Sequence, residues 1–132
     1  MENYYEIKTG PYIEKNQPFS YFTFPFPLDT FQLHGCDAIS KNQNVLATAH
    51  TGSGKTVLAL YAIAKTLAEG HKVIYTSPIK ALSNQKYHEF SKDFPSIGII
   101  TGDIKINPLG DLLIMTAEIL RNSLIRTINK DF

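Results

Sequence analysis

Short apolar runs alternate with amphipathic segments through most of the chain. Four runs have the length and composition of buried strands, namely residues 45–49, 73–76, 97–100 and 112–115. The segments that follow three of them, 56–69, 80–90 and 116–128, have the composition and spacing of helices. Continuous apolar strands between amphipathic helices predict an α/β fold, with a parallel sheet covered by helices on both faces.

The first part of the chain has a different character. Residues 1–23 are rich in Tyr, Phe and Asn, and two prolines interrupt any helix there, which predicts an irregular arm. Pro25 and Pro27 each push the preceding residue out of the α region, which predicts that residues 24–29 are extended. Asp29 or Thr30 is predicted to cap a helix that runs through Ile39. We therefore expect one folded domain over residues 24–132, preceded by the arm.

Composition narrows the class of protein. A chain of 132 residues with 43% hydrophobic residues can form one packed domain, so wholesale disorder is not expected. The net charge of +1 excludes a broad basic field, so any nucleic acid would bind in a local groove. The single cysteine, Cys36, excludes an internal disulfide and a cysteine-based zinc cluster. With no secretory signal and no apolar run near ~20 residues, we expect a soluble, intracellular protein without a membrane partner.

A glycine-rich segment at residues 49–56, Ala-His-Thr-Gly-Ser-Gly-Lys-Thr, matches a Walker A loop except that Ala49 replaces the first glycine. Gly52 and Gly54 let the backbone amides turn toward phosphate oxygens. Lys55 places a positive charge on the β- and γ-phosphates, and Thr56 offers its hydroxyl to Mg²⁺. The predicted nucleotide-phosphate ligands are Thr51, Gly52, Ser53, Gly54, Lys55 and Thr56. His50 is interpreted as a packing or solvent-facing residue rather than a catalyst.

Four further segments resemble one family, the Ski2-like DExH helicases. Residues 24–32, Phe-Pro-Phe-Pro-Leu-Asp-Thr-Phe-Gln, resemble its adenine-recognition segment. Residues 76–86, Thr-Ser-Pro-Ile-Lys-Ala-Leu-Ser-Asn-Gln-Lys, resemble its motif Ia. The segments 100–108 and 114–121 resemble its next two RNA-contacting motifs, in the usual order. The resemblance covers residues 24–125 and implies a P-loop NTPase (RecA-like) fold that is incomplete here.

The resemblance implies a role for each matching residue. Phe26 would stack on adenine and Gln32 would hydrogen-bond the adenine edge, although a phenylalanine in such a run is also typical of a core. Lys55 and Thr56 would act in catalysis, with ATP and Mg²⁺ as cofactors. Single-stranded RNA would contact Pro78, Lys80, Asn84, Gln85, Thr101, Gly102, Thr116 and Glu118. For Lys80, a solvated helix face is the alternative interpretation.

The family hydrolyses ATP with a strand that ends in Asp-Glu-x-His, and this sequence does not contain that motif. Nor does it contain the second RecA-like lobe, which would supply arginines to the transferring phosphate. We therefore expect this chain to bind nucleotide weakly and not to hydrolyse it usefully alone, which leaves its status as an enzyme open. Its expected partner is the remainder of the helicase, in cis or in trans.

Three functions remain open at this point. The first is the ATP-binding and RNA-binding front portion of a 3′-to-5′ RNA helicase, whose polarity is implied by the resemblance. The second is a non-catalytic nucleotide- and RNA-binding regulatory module. The third is a small P-loop kinase, although the sequence shows no arginine-rich segment typical of a kinase lid.

Overall fold

A computed structural model describes residues 6–12, 21–50, 52 and 54–130, with side chains through residue 127. The chain forms two compact units, Met1–Glu69 and Gly70–Phe132. The first contains helices α1 (Thr30–Ser40) and α2 (Thr56–Ala68). The second contains, in chain order, β1 (Val73–Ser77), α3 (Lys80–Phe90), β2 (Ile97–Ile100), β3 (Lys105–Ile106), β4 (Leu112–Thr116) and α4 (Ala117–Lys130). The domain limits predicted from the sequence, 1–23 and 24–132, stay a prediction.

The first unit is a pair of packed helices. Asp29 is the extended N-cap of α1, as predicted, and its N–H donates to Oε1 of Gln32 over 2.8 Å. Cys36 of α1 packs against Leu58 and Tyr61 of α2, and phenylalanines from residues 22–31 close over this core. The two helices approach closely because Gly35 has no side chain, and a methyl group there would collide with Leu58. Burial of these apolar groups stabilises the start of α2, which follows the glycine-rich loop.

The strand predicted at residues 45–49 is wrong. Residues 43–50 have no regular secondary structure, and the side chain of Leu46 is 91% exposed. A β-strand is stable where a neighbouring strand pairs its N–H and C=O groups and its apolar side chains are covered. The described residues of the first unit include no strand that could pair with this run. An apolar composition was therefore insufficient to form the strand.

The second unit contains a four-stranded sheet in the order β1-β4-β2-β3. The first three of these strands are parallel, and their bounds confirm the predicted runs at 73–76, 97–100 and 112–115. The prediction of a fully parallel sheet missed β3, which pairs with β2 in antiparallel orientation. A turn closed by the Thr101 N–H and the Ile104 carbonyl oxygen, 2.8 Å apart, returns the chain along β2.

Helix α3 covers one face of this sheet. The ring of Tyr75 on β1 contacts Phe90 of α3 edge to face, with centroids 5.2 Å apart. Beneath it, Leu112 and Ile114 of β4 are fully buried. Ile74 points to the opposite face because side chains alternate along a strand, and it is 51% exposed. The predicted coverage of both faces is therefore incomplete. Among the described residues, no helix combines the length and apolar character needed to cross a membrane.

Candidate functional site

The glycine-rich loop has the backbone shape that its sequence predicts. Gly52 and Gly54 adopt φ angles of +84° and +89°, which other residues rarely adopt. Helix α2 begins directly after the loop, at Thr56, so the N–H groups of its first turn lie at the loop. The N-terminal end of a helix attracts anions through these groups and through its dipole. Thr51 and Ser53, also predicted ligands, lie outside the described residues.

Lys55 closes this loop on itself. Its side chain is exposed, and Nζ donates a 2.7 Å hydrogen bond to the carbonyl oxygen of Ala49. The ammonium group of Lys55, near the end of the loop, therefore lies against the first residue of the loop. A surface hydrogen bond of this kind contributes little net free energy, so a phosphate can replace the carbonyl oxygen as the acceptor. Thr56 is half-buried at the first position of α2.

Gln32 links the adenine-recognition segment to the loop. Its side chain is 4% exposed, and Nε2 donates to the carbonyl oxygen of Gly54 over 3.0 Å. A side chain on Gly54 would collide with this amide, which gives a second reason for a glycine at that position. Oε1 is engaged by the N–H of Asp29, so further polar contacts must use the second N–H or the second lone pair.

Phe26 presents an open aromatic surface. It is 47% exposed, and its ring lies 5.8 Å from that of Phe24 at an interplanar angle of 43°. The alternative, a core aromatic, does not describe a side chain of this exposure. A half-exposed ring supported from one side can stack on a planar base.

The carboxyl ends of three parallel strands form a second candidate site, here called the carboxyl edge (residues 77–80, 101–103 and 116–118). Ser77 is in register with Thr116, and Ile100 with Met115, so the residues that follow β1, β2 and β4 meet there. Thr101 and Thr116 are buried, whereas Gly102 is exposed. Ligands bind at this edge in α/β sheets.

Two buried serines fix the turn from β1 into α3. The hydroxyls of Ser77 and Ser83 lie 2.6 Å apart, and each is 3.2 Å from the carbonyl oxygen of Ile79. This network satisfies buried polar groups and sets where α3 begins. Lys80 is consequently the first residue of α3 and stands at the carboxyl edge.

Lys80 lies over the loop that follows β2. Its Nζ is 2.8 Å from Oδ2 of Asp103, and a Cβ on Gly102 would lie 3.4 Å from both Cε and Nζ of the lysine. The side chains of Lys80 and Asp103 are 54% and 70% exposed. The fold thus brings together two predicted RNA-contacting residues, Lys80 and Gly102, that are far apart in the sequence.

Four other predicted RNA-contacting residues lie on α3, just before it, or on α4. Asn84 is half-buried one helical turn after Lys80, on the same face of α3, while Pro78 and Gln85 are exposed. Glu118 lies exposed in the first turn of α4. Sequence reasoning missed Asp103 and the serines Ser77 and Ser83. The serines lie within the segment that resembles motif Ia, but the ion pair of Asp103 gives no local signal.

Comparison with known proteins gives consistent matches. The DEAD/DEAH box helicase family model matches residues 29–131. The chain is 56% identical over 103 residues to mRNA transport homolog 4 of Caenorhabditis elegans, and 54% identical over 103 residues to human Exosome RNA helicase MTR4; each match covers 78% of this chain and 10% of the relative. It is 52% identical over 106 residues to Antiviral helicase SKI2 of Saccharomyces cerevisiae, covering 79% of this chain and 8% of that protein.

The chain thus spans about a tenth of the length of the curated relatives it matches. The family match includes α1, the phosphate loop and every strand of the sheet. It excludes a small P-loop kinase, the third function left open above. The chain belongs to the DEAD/DEAH box helicase family, in its Ski2-like DExH group, and has the RecA-like P-loop fold of that family.

Proposed function

We propose that this chain is the ATP-binding and RNA-binding front portion of an ATP-dependent 3′-to-5′ RNA helicase. The observation that carries the proposal is the carboxyl edge, where Lys80 lies against Gly102 beside the buried Thr101 and Thr116. The names of the relatives support RNA as the ligand, since they include Exosome RNA helicase MTR4 and ATP-dependent RNA helicase mtr4. The 3′-to-5′ direction comes from the family resemblance.

The nucleotide would bind at the glycine-rich loop. Lys55 would exchange the Ala49 carbonyl oxygen for phosphate oxygens, and the amides near Gly52 and Gly54 would surround the same group. Phe26 would stack on the base, and Gln32 would contact its edge while remaining bonded to Gly54. Mg²⁺, with Thr56 as its protein ligand, would neutralise charge between the phosphates. The second RecA-like lobe would complete the hydrolytic site.

The RNA backbone would lie along the carboxyl edge. Lys80 supplies the charge, Asn84 and Gln85 supply neutral hydrogen bonds, and the exposed backbone of Gly102 permits close approach of a phosphate. Contacts of this type hold a strand without reading its sequence. Binding should therefore tolerate any base composition and weaken as salt rises.

The test is the affinity of the full chain for a short fluorescent oligouridylate, measured by anisotropy with and without Lys80→Ala. We expect the substitution to weaken binding several-fold and to make the plot of log affinity against log salt shallower by at most about 0.7, the value for one full phosphate contact on a single strand. Lys92→Ala is the matched control, because Lys92 is an exposed lysine that follows the other end of α3. Equal affinities for the two variants would refute RNA binding at this edge.

A further inference from the structure

The carboxylate of Asp103 is bound to Lys80, the lysine that is proposed to contact the RNA backbone. It accepts a 2.8 Å hydrogen bond from Nζ, and both side chains face solvent. We propose that Asp103 is an internal competitor for the RNA backbone, which holds Lys80 over Gly102 and lowers the affinity of the carboxyl edge for RNA. This inference rests on the proposed function, because it assigns a regulating residue to the same site.

The loop that carries Asp103 is held in place by its own hydrogen bonds. The hydroxyl of Thr101 accepts from the N–H groups of Asp103 and Ile104, over 3.3 and 3.2 Å. The Thr101 N–H in turn donates to the Ile104 carbonyl oxygen. Because Thr101 is 6% exposed, the base of the loop is anchored in the unit. The carboxylate of Asp103 is therefore presented beside Lys80 by a defined turn.

The contact also fixes the path of the lysine side chain. A Cβ on Gly102 would lie 3.4 Å from Cε and Nζ of Lys80, so the end of the lysine side chain lies next to the space that this glycine leaves open. An incoming phosphate that uses Gly102 and Lys80 together must displace the carboxylate or accept its negative charge as a neighbour. Asp103 acts on RNA through Lys80 and is a positioning residue.

The ion pair between Lys80 and Asp103 is weak enough for RNA to displace the carboxylate. An exposed ion pair changes an equilibrium by at most about five-fold, since water and salt screen it. A polyanion with several contacts overcomes a penalty of this size. Neutralising Asp103 should therefore strengthen RNA binding by about two- to five-fold. Lys80 would then be free to contact a phosphate and to displace a counterion from the RNA backbone.

The experiment measures the affinity of the full chain for a fluorescent oligouridylate over a salt series, with Asp103→Asn and Asp103→Glu. The Asn variant should bind two- to five-fold more tightly and give a salt plot steeper by up to about 0.7. The Glu variant keeps the charge and should stay near the parent chain. Asp93→Asn is the control for net charge, since Asp93 is exposed beyond the opposite end of α3.

A double variant separates the role of Asp103 from a general gain of positive charge. In the background of Lys80→Ala, Asp103→Asn should strengthen binding no more than Asp93→Asn does. The proposal is overturned if Asp103→Asn matches Asp93→Asn in the parent chain, or if its full effect persists without Lys80. If Lys80→Ala alone leaves affinity unchanged, RNA binding at this edge fails and the proposal fails with it. If Lys80→Ala weakens binding while Asp103→Asn does nothing specific, the role of Asp103 alone is wrong.

Discussion

Two five-residue apolar runs of this chain adopt different structures. Residues 112–116 form β4, which pairs with β1 on one side and β2 on the other, and Leu112 is fully buried. Residues 45–49, just before the glycine-rich loop, form no strand, and Leu46 is 91% exposed. Both runs satisfy the same local pattern. The difference shows that an apolar run becomes a strand where a neighbouring strand pairs with its backbone, as β1 and β2 do with β4.

The same substitution in the two runs sharpens this comparison. Leu112→Ala removes a side chain with 0% exposure from the middle of the sheet and should lower the free energy of unfolding by about 2–5 kcal/mol. Leu46→Ala removes a side chain that is already in solvent and should change it by less than about 0.5 kcal/mol. Urea unfolding followed by circular dichroism measures both. Similar losses for the two variants would mean that residues 45–49 are packed after all.

A smaller effect, the pH dependence of stability, tests whether the first unit is stabilised by the packing of its helices rather than by residues 45–49. Burial raises the pKa of the Cys36 thiol from 9.0 to about 11, and burial also raises the pKa of Tyr61, against the lowering effect of its hydrogen bond to Ser40. The folded state therefore keeps protons that the unfolded state loses. The stability that Cys36 contributes in this way, at most about 3 kcal/mol, should be fully present below pH 9 and be lost as pH rises through about 11.

The check is the urea midpoint at a series of pH values for the parent chain and for Cys36→Ala. The variant should start lower, because it lacks a buried side chain, but should lose less stability between pH 9 and 11. The decline that remains belongs in part to Tyr61. An identical decline in both chains would place the thiol in solvent and contradict the helix-pair core.

The sequence predicts the second unit well because its elements are determined locally. Helix α3 begins at Lys80 and ends at Phe90, as predicted, since Ser77, Ser83 and Pro78 lie within a few residues of its start. Strand β3 was not predicted, because its two residues are exposed and held by a turn rather than by buried side chains. The bounds of a helix or strand can be predicted from the sequence where nearby residues determine both the burial of its side chains and its capping.

The candidate site likewise has one part that the sequence predicts and one part that it does not. The loop at 49–56 is identified from its residues alone, because its glycines and its lysine act through the local backbone. The pair of Lys80 with Asp103 spans 23 positions and exists because β1 and β2 flank β4. No local pattern contains that information. Long-range ion pairs are therefore the part of the site that required the fold.

The most direct test of the central claim is a titration of the 132-residue chain with a fluorescent ATP analogue in the presence of Mg²⁺, beside Lys55→Ala and the exposed-lysine control Lys72→Ala. The account predicts saturable binding by the parent chain and by Lys72→Ala. It predicts a loss of about ten-fold or more for Lys55→Ala with an unchanged circular dichroism spectrum, since a charge-assisted hydrogen bond to phosphate contributes about 1.5–3 kcal/mol. Equal affinity of all three chains, or no saturable binding by the parent chain, would contradict the assignment of residues 49–56 as its nucleotide site.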